Sequence, residues 1–205
     1  MPNATYIFGG MGWEWLPNGE STWIDGGMIP NYDFEEGCGV AISDEELVLI
    51  GGKRSKHVIQ KFNVKDHSWQ EIDGPLIQEK YGHSCIKLNN TIIVSGGRKS
   101  YSGYINSTEL IDVETLSARP GPEMNVVRAF HRLVLAHIND ELKVLAVGGY
   151  SNHGYTDTIE LWDPESESWT LSSDMTLAEA KYEFGAVSVP TRLVVLRSFN
   201  LNPCT

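Results

Sequence analysis

The stretch AVGGYSNHGYTDTIELWDPESESWTLSSDM, Ala146–Met175, decides how the chain is read. An apolar run ends in the doublet Gly148-Gly149. A bulky residue follows in ELWDP, and Trp169 stands seven residues after Trp162. Such a doublet has two uses. A catalytic or phosphate-holding loop needs it for close backbone approach, and a structural unit needs it where strands crowd.

The same pattern recurs upstream. Gly-Gly follows an apolar stretch in TYIFGG (Gly9-Gly10), LVLIGG (Gly51-Gly52), TIIVSGG (Gly96-Gly97) and KVLAVGG (Gly148-Gly149), at spacings of 42, 45 and 52 residues. After each doublet comes a short strand with a bulky centre: WEWLP, VIQKFNV, TELIDV and TIELWDP. A turn then leads to Trp23, Trp69, Leu116 and Trp169, which stand 8, 7, 5 and 7 residues beyond Trp15, Phe62, Ile111 and Trp162. A further strand signal follows each of these positions: CGVAIS, HSCIKL, FHRLVLAHI and FGAVSV. The unit is four short antiparallel strands, and the fold class is all-β. In this reading the glycines are spacers, and the tryptophans are apolar plates that pack one unit on the next. Leu116 keeps that contact with less area. No GxxxxGK[ST] is present, and no helix start follows a doublet to hold an anion.

Four strands at this period resemble the Kelch repeat, in which one repeat makes one blade of a β-propeller. The residues that carry the resemblance are the four doublets, the third-strand ELWDPESESW, and the first-strand KYGHSCIKL followed by NNTIIVSGG. They span nearly the whole chain. The resemblance implies a Kelch-type propeller of about four blades, with units near 1–29, 30–77, 78–125 and 126–176. A partial unit follows at 177–199, where Arg197-Ser198 stand in place of a doublet, and then an unstructured tail at 200–205. Propellers of the family carry more blades, roughly six or seven. The expectation is an incomplete propeller, a fragment of a longer protein without its BTB and BACK domains. The other reading is a small propeller closed by its C-terminal strand, which removes open edges; an open arc invites self-association.

Composition bounds the function. The chain has 205 residues, 41% of them hydrophobic and 21% charged, and a net charge of −11. That charge argues against nucleic acid or an anionic membrane as partner. No run approaches the ~18 apolar residues of a membrane span, and the N-terminus lacks the basic and apolar regions of a signal peptide. Cys38, Cys85 and Cys204 are odd in number and include no CxxC, which implies neither a disulfide framework nor a zinc site. Cys38 and Cys85 lie one place apart in the aligned repeat. Alternation turns them to opposite faces, and both are read as buried small residues in a reducing, cytoplasmic setting. Sequons at Asn3, Asn89 and Asn106 pull toward secretion.

No catalytic constellation emerges. The six histidines form no HxH or HExxH, and no GxSxG is present, so no metal, cofactor or enzymatic activity is expected. Two sets of turns carry recognition chemistry instead. After the doublets come Lys53 and Arg54, then Arg98, Tyr101 and Tyr104, then Tyr150, Asn152, His153 and Tyr155. This mixture of tyrosine, arginine and small polar residues is favoured at recognition surfaces. Before the first strands, Lys80, Arg128 and Lys181 recur in KYGHS, RAFHR and KYEFG. Resemblance to Kelch proteins implies that both sets emerge on one face, around the channel. There these cations either meet an acidic peptide or brace their own blades, and Arg98→Ala and Arg128→Ala are expected to weaken binding without unfolding. The resemblance further implies a non-catalytic protein- or peptide-binding module. Its specific role is the substrate-recognition part of a cullin-based ubiquitin ligase adaptor, or a cytoskeletal adaptor. The rival is a secreted propeller, carbohydrate-binding or a degenerate oxidase- or mutarotase-like enzyme.

Overall fold

The computed structural model describes residues 4–30, 34–54, 57–72, 76–99, 103–139 and 141–188, all strand, turn or extended chain. The first sheet has three strands, β1 (Ala4–Gly9), β2 (Gly12–Pro17) and β3 (Ile24–Met28), in sequence order. The second is β4 (Cys38–Ala41), β5 (Glu46–Ile50), β6 (Ile59–Asn63) and β7 (Trp69–Ile72). The third begins with β8 (Ser84–Leu88) and β9 (Thr91–Ser95). A two-residue hairpin, β10 (Arg98–Lys99) and β11 (Gly103–Tyr104), stands outside the sheet, which resumes with β12 (Thr108–Asp112) and β13 (Ala118–Gly121). The fourth repeats this plan. β14 (Arg132–Ile138) and β15 (Glu141–Val147) lead to the hairpin of β16 (Tyr150–Ser151) and β17 (Gly154–Tyr155), then β18 (Thr158–Asp163) and β19 (Ser168–Thr176). All ladders are antiparallel, so each sheet is a meander, the form of a propeller blade. The first strands converge: β8 packs beside β4 on one side and β14 on the other.

Turn chemistry sets the register between third and fourth strands. Asn63, Asp112 and Asp163 end the third strands, and each side chain accepts a backbone N–H two residues on, from Lys65 (2.9 Å), Glu114 (3.1 Å) and Glu165 (2.9 Å). These are Asx turns. His67, Leu116 and Glu167 then take positive φ, 57°, 54° and 45°. The ladders resume with Phe62 opposite Trp69, Ile111 opposite Ala118 and Trp162 opposite Trp169.

That register corrects two readings of the repeat. Leu116 aligns with His67 and Glu167, and the tryptophan's place in the third blade belongs to Ala118. Leu116 is still buried, in the core between blades two and three. In the first sheet Ile24, not Trp23, lies opposite Trp15. Trp23 stands just before this strand and is 39% exposed, and Ile24 in the paired place is 42% exposed, so this edge strand buries neither side chain. Trp13 is the tryptophan buried there.

The core is a series of layers between blades. Tyr6, Phe8, Trp13, Phe62 and Trp69 fill the first; Phe62 and Trp69 lie 4.7 Å apart between ring centroids. Val48, Ile50, Ile92, Val94 and Ile111 fill the second. Leu110, Leu133, Val144, Trp162 and Trp169 fill the third. Trp169 also donates its indole N–H across the layer to Thr108 Oγ1 at 3.0 Å, so the blade-to-blade plate is held in orientation as well as buried.

The doublets are spacers with an identifiable guest. A Cβ on Gly51 would lie 2.8 Å from the His83 ring of the next blade, and one on Gly96 equally close to the His131 ring. Both glycines also have φ near +60°. The first doublet differs: Gly9 pairs with Gly12 across a tight turn, and a Cβ on Gly9 or Gly10 would meet nothing within 4 Å. The guest is absent because Gly37 stands in blade two where His83 and His131 stand in blades three and four.

Cys38 and Cys85 form a disulfide, with Cα atoms 5.9 Å apart. The sequence reading of two unpaired cysteines is therefore corrected. Cys38 pairs with Ile50, next to its doublet, whereas Ser84 rather than Cys85 holds the matching place in blade three. The one-place offset does put them on opposite faces. In neighbouring blades, however, opposite faces are the two that confront each other.

Residues 177–188 contain no strand, although FGAVSV was expected to begin a fifth unit. Their backbone bonds go to turns of the preceding blades instead: Leu177 N–H to Asp157 O, and Glu183 N–H to Phe130 O. Leu177 and Phe184 cover the outer face of blade four. The rest of that unit, with Arg197-Ser198, and the tail at 200–205 lie outside the described residues.

Candidate functional site

The turns that precede the first strands meet around the axis. Glu36, Gly82, Phe130 and Glu183 hold equivalent places, all with φ between 50° and 63°. Each of the last three donates its N–H to the carbonyl of its predecessor, at 2.7, 2.6 and 3.0 Å. This backbone ladder ties successive blades at one mouth. Burial raises the Glu36 carboxyl above the usual range, with Lys53 opposing.

Two residues before the last three ladder positions lie the recurring cations Lys80, Arg128 and Lys181. Lys80 is fully buried and pairs with Glu109 at 2.7 Å, while Glu109 also accepts the Ile77 N–H at 2.8 Å. Arg128 is fully buried and pairs with Glu160 at 2.8 Å. It donates further to Gly148 O (2.8 Å), Thr158 O (3.1 Å) and Thr158 Oγ1 (3.0 Å). Glu160 in turn accepts from Asn125 N–H and Val126 N–H. Both acids sit on the third strand of the cation's own blade. In blade two the same two places hold Phe34 and Gln60, so the charge pair is replaced at both ends. Burial pushes the Lys80 ammonium and the Arg128 guanidinium below their usual ranges, opposed by their carboxylates. These two cations are braces within the fold. The expectation that Arg128→Ala leaves the fold intact is corrected, since the change strands Glu160 as a buried charge.

Beneath the ladder lie two buried histidines. His83 Nε2 is 3.0 Å from Ile50 O, and His131 Nε2 is 3.0 Å from Ser95 Oγ. Burial, with Lys80 beside it, lowers His83 to about 3; burial and Arg128 likewise depress His131. Both are neutral spacers. Among the described residues no group of three or more His, Cys, Asp or Glu is placed to hold a metal ion.

The exposed chemistry of this face gathers over blades three and four. Arg98 stands 5.6 Å from the centroid of the Tyr104 ring. Tyr104 meets Tyr150 at 5.0 Å, Tyr150 meets Tyr155 at 5.2 Å and Tyr182 at 6.1 Å, and Tyr155 stacks on Tyr182 at 4.4 Å with planes 9° apart. The hairpins that carry these rings are pinned at their bases. Arg98 bridges to Tyr81, and Tyr150 bridges to Ala129. Tyr155 is 55% and Tyr182 39% exposed. The result is a continuous tyrosine ledge ending at a guanidinium.

The structure thus brings together Arg98, Tyr104, Tyr150 and Tyr155, with Asn152 and His153 exposed at the hairpin tip. Lys53 and Arg54 belong to blade two; Lys53 lies 3.6 Å from Glu35 and 3.8 Å from Glu36. Lys181 is exposed and lies 3.4 Å from Glu179. Tyr101 lies outside the described residues. Tyr182 was missed by the sequence reading. The signal was present, since Lys-Tyr occurs at both Lys80-Tyr81 and Lys181-Tyr182, but only the lysines were weighed.

Comparison with known proteins agrees with this architecture. The Kelch motif matches residues 140–176. A Kelch repeat and BTB domain-containing protein of Caenorhabditis elegans is 27% identical over 166 residues, covering 76% of this chain and 28% of that protein. Kelch-like protein 40 of Xenopus tropicalis is 25% identical over 73% of the chain and 24% of its own length. Human Kelch-like protein 23 is 23% identical over 90% of the chain and 34% of its own length. The chain therefore spans about a quarter to a third of these relatives. The chain thus carries a Kelch motif in its fourth unit, and its four-stranded antiparallel sheets have the form of Kelch-type propeller blades.

Proposed function

We propose that this chain is a non-catalytic protein-interaction module whose contact surface is the tyrosine ledge of blades three and four. The observation that carries the reading is the cluster of Tyr104, Tyr150, Tyr155 and Tyr182 beside Arg98. Large rigid amphipathic rings contribute contact area at low entropic cost, and Tyr and Arg dominate binding hot spots. Lys53, Arg54, Asn152, His153 and Lys181 form the rim. The repeat units near 30–77, 78–125 and 126–176 act as the scaffold. In the whole protein the module recognises substrates for a cullin-based ubiquitin ligase in the cytoplasm. The name of the Caenorhabditis elegans relative, which pairs Kelch repeats with a BTB domain, supports that role.

The test of the module is a peptide-display selection against the chain, with counter-selection against a Tyr155→Ala/Tyr182→Ala variant. Binders lost on the variant support the ledge; binders indifferent to it refute it. The ligase role is tested by co-precipitation of the full-length protein with a cullin. Precipitation of actin in its place would turn the reading to a cytoskeletal adaptor.

A second reading, a secreted binding module, is favoured by the Cys38–Cys85 disulfide together with the exposed sequon at Asn89. A glycosidase-sensitive mass at Asn89 in the native protein supports that reading and excludes the cytoplasm.

A further inference from the structure

The chemistry of the ledge narrows the kind of peptide that fits it, given the proposed reading of this face as the contact surface. Lys80 and Arg128, which a strongly acidic peptide would need, are consumed inside the fold. On the ledge itself the exposed guanidinium of Arg98 stands against the ring at one end of a row of four aromatic rings, while at the other end Tyr182 lies between Lys181, ion-paired with Glu179, and Glu183. The backbone offers little to an incoming strand. The inner edges of both small hairpins are taken up by Tyr81 and Ala129, at 2.7 to 3.2 Å, and each outer strand is two residues long. Strand addition needs a longer free edge. Recognition must therefore run through side chains.

A polyproline II segment matches these constraints. It has no internal hydrogen bonds, so its carbonyls are open to tyrosine hydroxyls, and its rings pack on aromatic faces. It is also stiff before binding, which lowers the ordering cost. Tyr150 joins the rings of the two hairpins to Tyr182, so the faces form a row instead of isolated patches. We infer that the ledge binds a proline-rich peptide in the polyproline II form, with an acidic residue at the Arg98 end.

The test uses fluorescence anisotropy on the full chain with labelled nine-residue proline-rich peptides carrying one aspartate at either terminus. Controls replace the prolines by alanine, or use an acidic peptide without proline. The expected result is saturable binding of the proline peptides, tighter for one aspartate position. Tyr155→Ala or Tyr182→Ala should weaken it about tenfold or more. Arg98→Ala should abolish the difference between the two aspartate positions. Equal binding of the alanine control, tighter binding of the non-proline acidic peptide, or indifference to the tyrosine changes would overturn the inference. So would no binding of any proline peptide by folded chain. The display selection stays a separate arm: ledge-dependent binders without proline would sink this inference and leave the module intact.

Discussion

Breaking the disulfide between blades two and three should cost a large share of the stability. Cys38 and Cys85 lie on the converging strands β4 and β8, and the bond closes a loop over a sequence separation of 47. Loop-closure entropy for that length gives about 4 kcal/mol at 25 °C. For a chain of this size each kcal/mol moves Tm by roughly 2–4 °C, so reduction should lower Tm by about 8–16 °C. The assay is thermal unfolding followed by circular dichroism, with and without a phosphine reductant, on the wild type and on Cys38→Ser/Cys85→Ser. The double variant should melt with the reduced wild type and ignore the reductant. Thiol titration under denaturing conditions reports the chemistry separately. Of three cysteines per chain, one should react before reduction and three after it. Three reactive thiols without reductant would refute the bond. Unchanged melting after proven reduction would refute the claim that it staples the two blades.

Other outcomes follow from the buried groups. Arg128→Ala should destabilise by about 3–5 kcal/mol in denaturant titration, because Glu160 loses its partner in the interior; replacing both residues by apolar ones of similar size should cost much less. Trp169→Ala should cost about 3–5 kcal/mol, since the indole is 7% exposed and bonds to Thr108; a change under 1 kcal/mol would remove it from the inter-blade core. His83 is held neutral in the fold, with its ordinary value of 6.5 lowered to about 3. Its contribution is fully present above pH 6.5 and is lost as pH falls toward 3, at up to about 1.4 kcal/mol per pH unit. Urea midpoints at pH 7 and pH 4.5 check this, and His83→Gln should reduce the difference while leaving the share that buried His131 contributes.

Much of the fold is local and so legible in the chain. Strand alternation, the doublets and the Asx turns after Asn63, Asp112 and Asp163 are interactions among near neighbours. They define four-stranded units before any tertiary contact is known. Trp23 and Leu116, at counts of 8 and 5 residues against 7 elsewhere, read as members of the same series, and only the ladders show Ile24 and Ala118 in the paired places. What the repeat cannot express is the meeting of one blade with the next. Cys38 and Cys85 look mismatched along the repeat and bond because facing blades present opposite faces. Lys80 and Arg128 have the composition of surface cations, and become internal braces because Glu109 and Glu160 lie across their own blades. The ledge likewise takes Tyr104, Tyr150 and Tyr182 from three separate turns. The sequence by itself determined the repeating unit, because hydrogen-bonded turns and alternation act over a few residues. Only the tertiary structure decided which charges are spent inside and which rings face a partner, because both depend on how blades stack around a common axis.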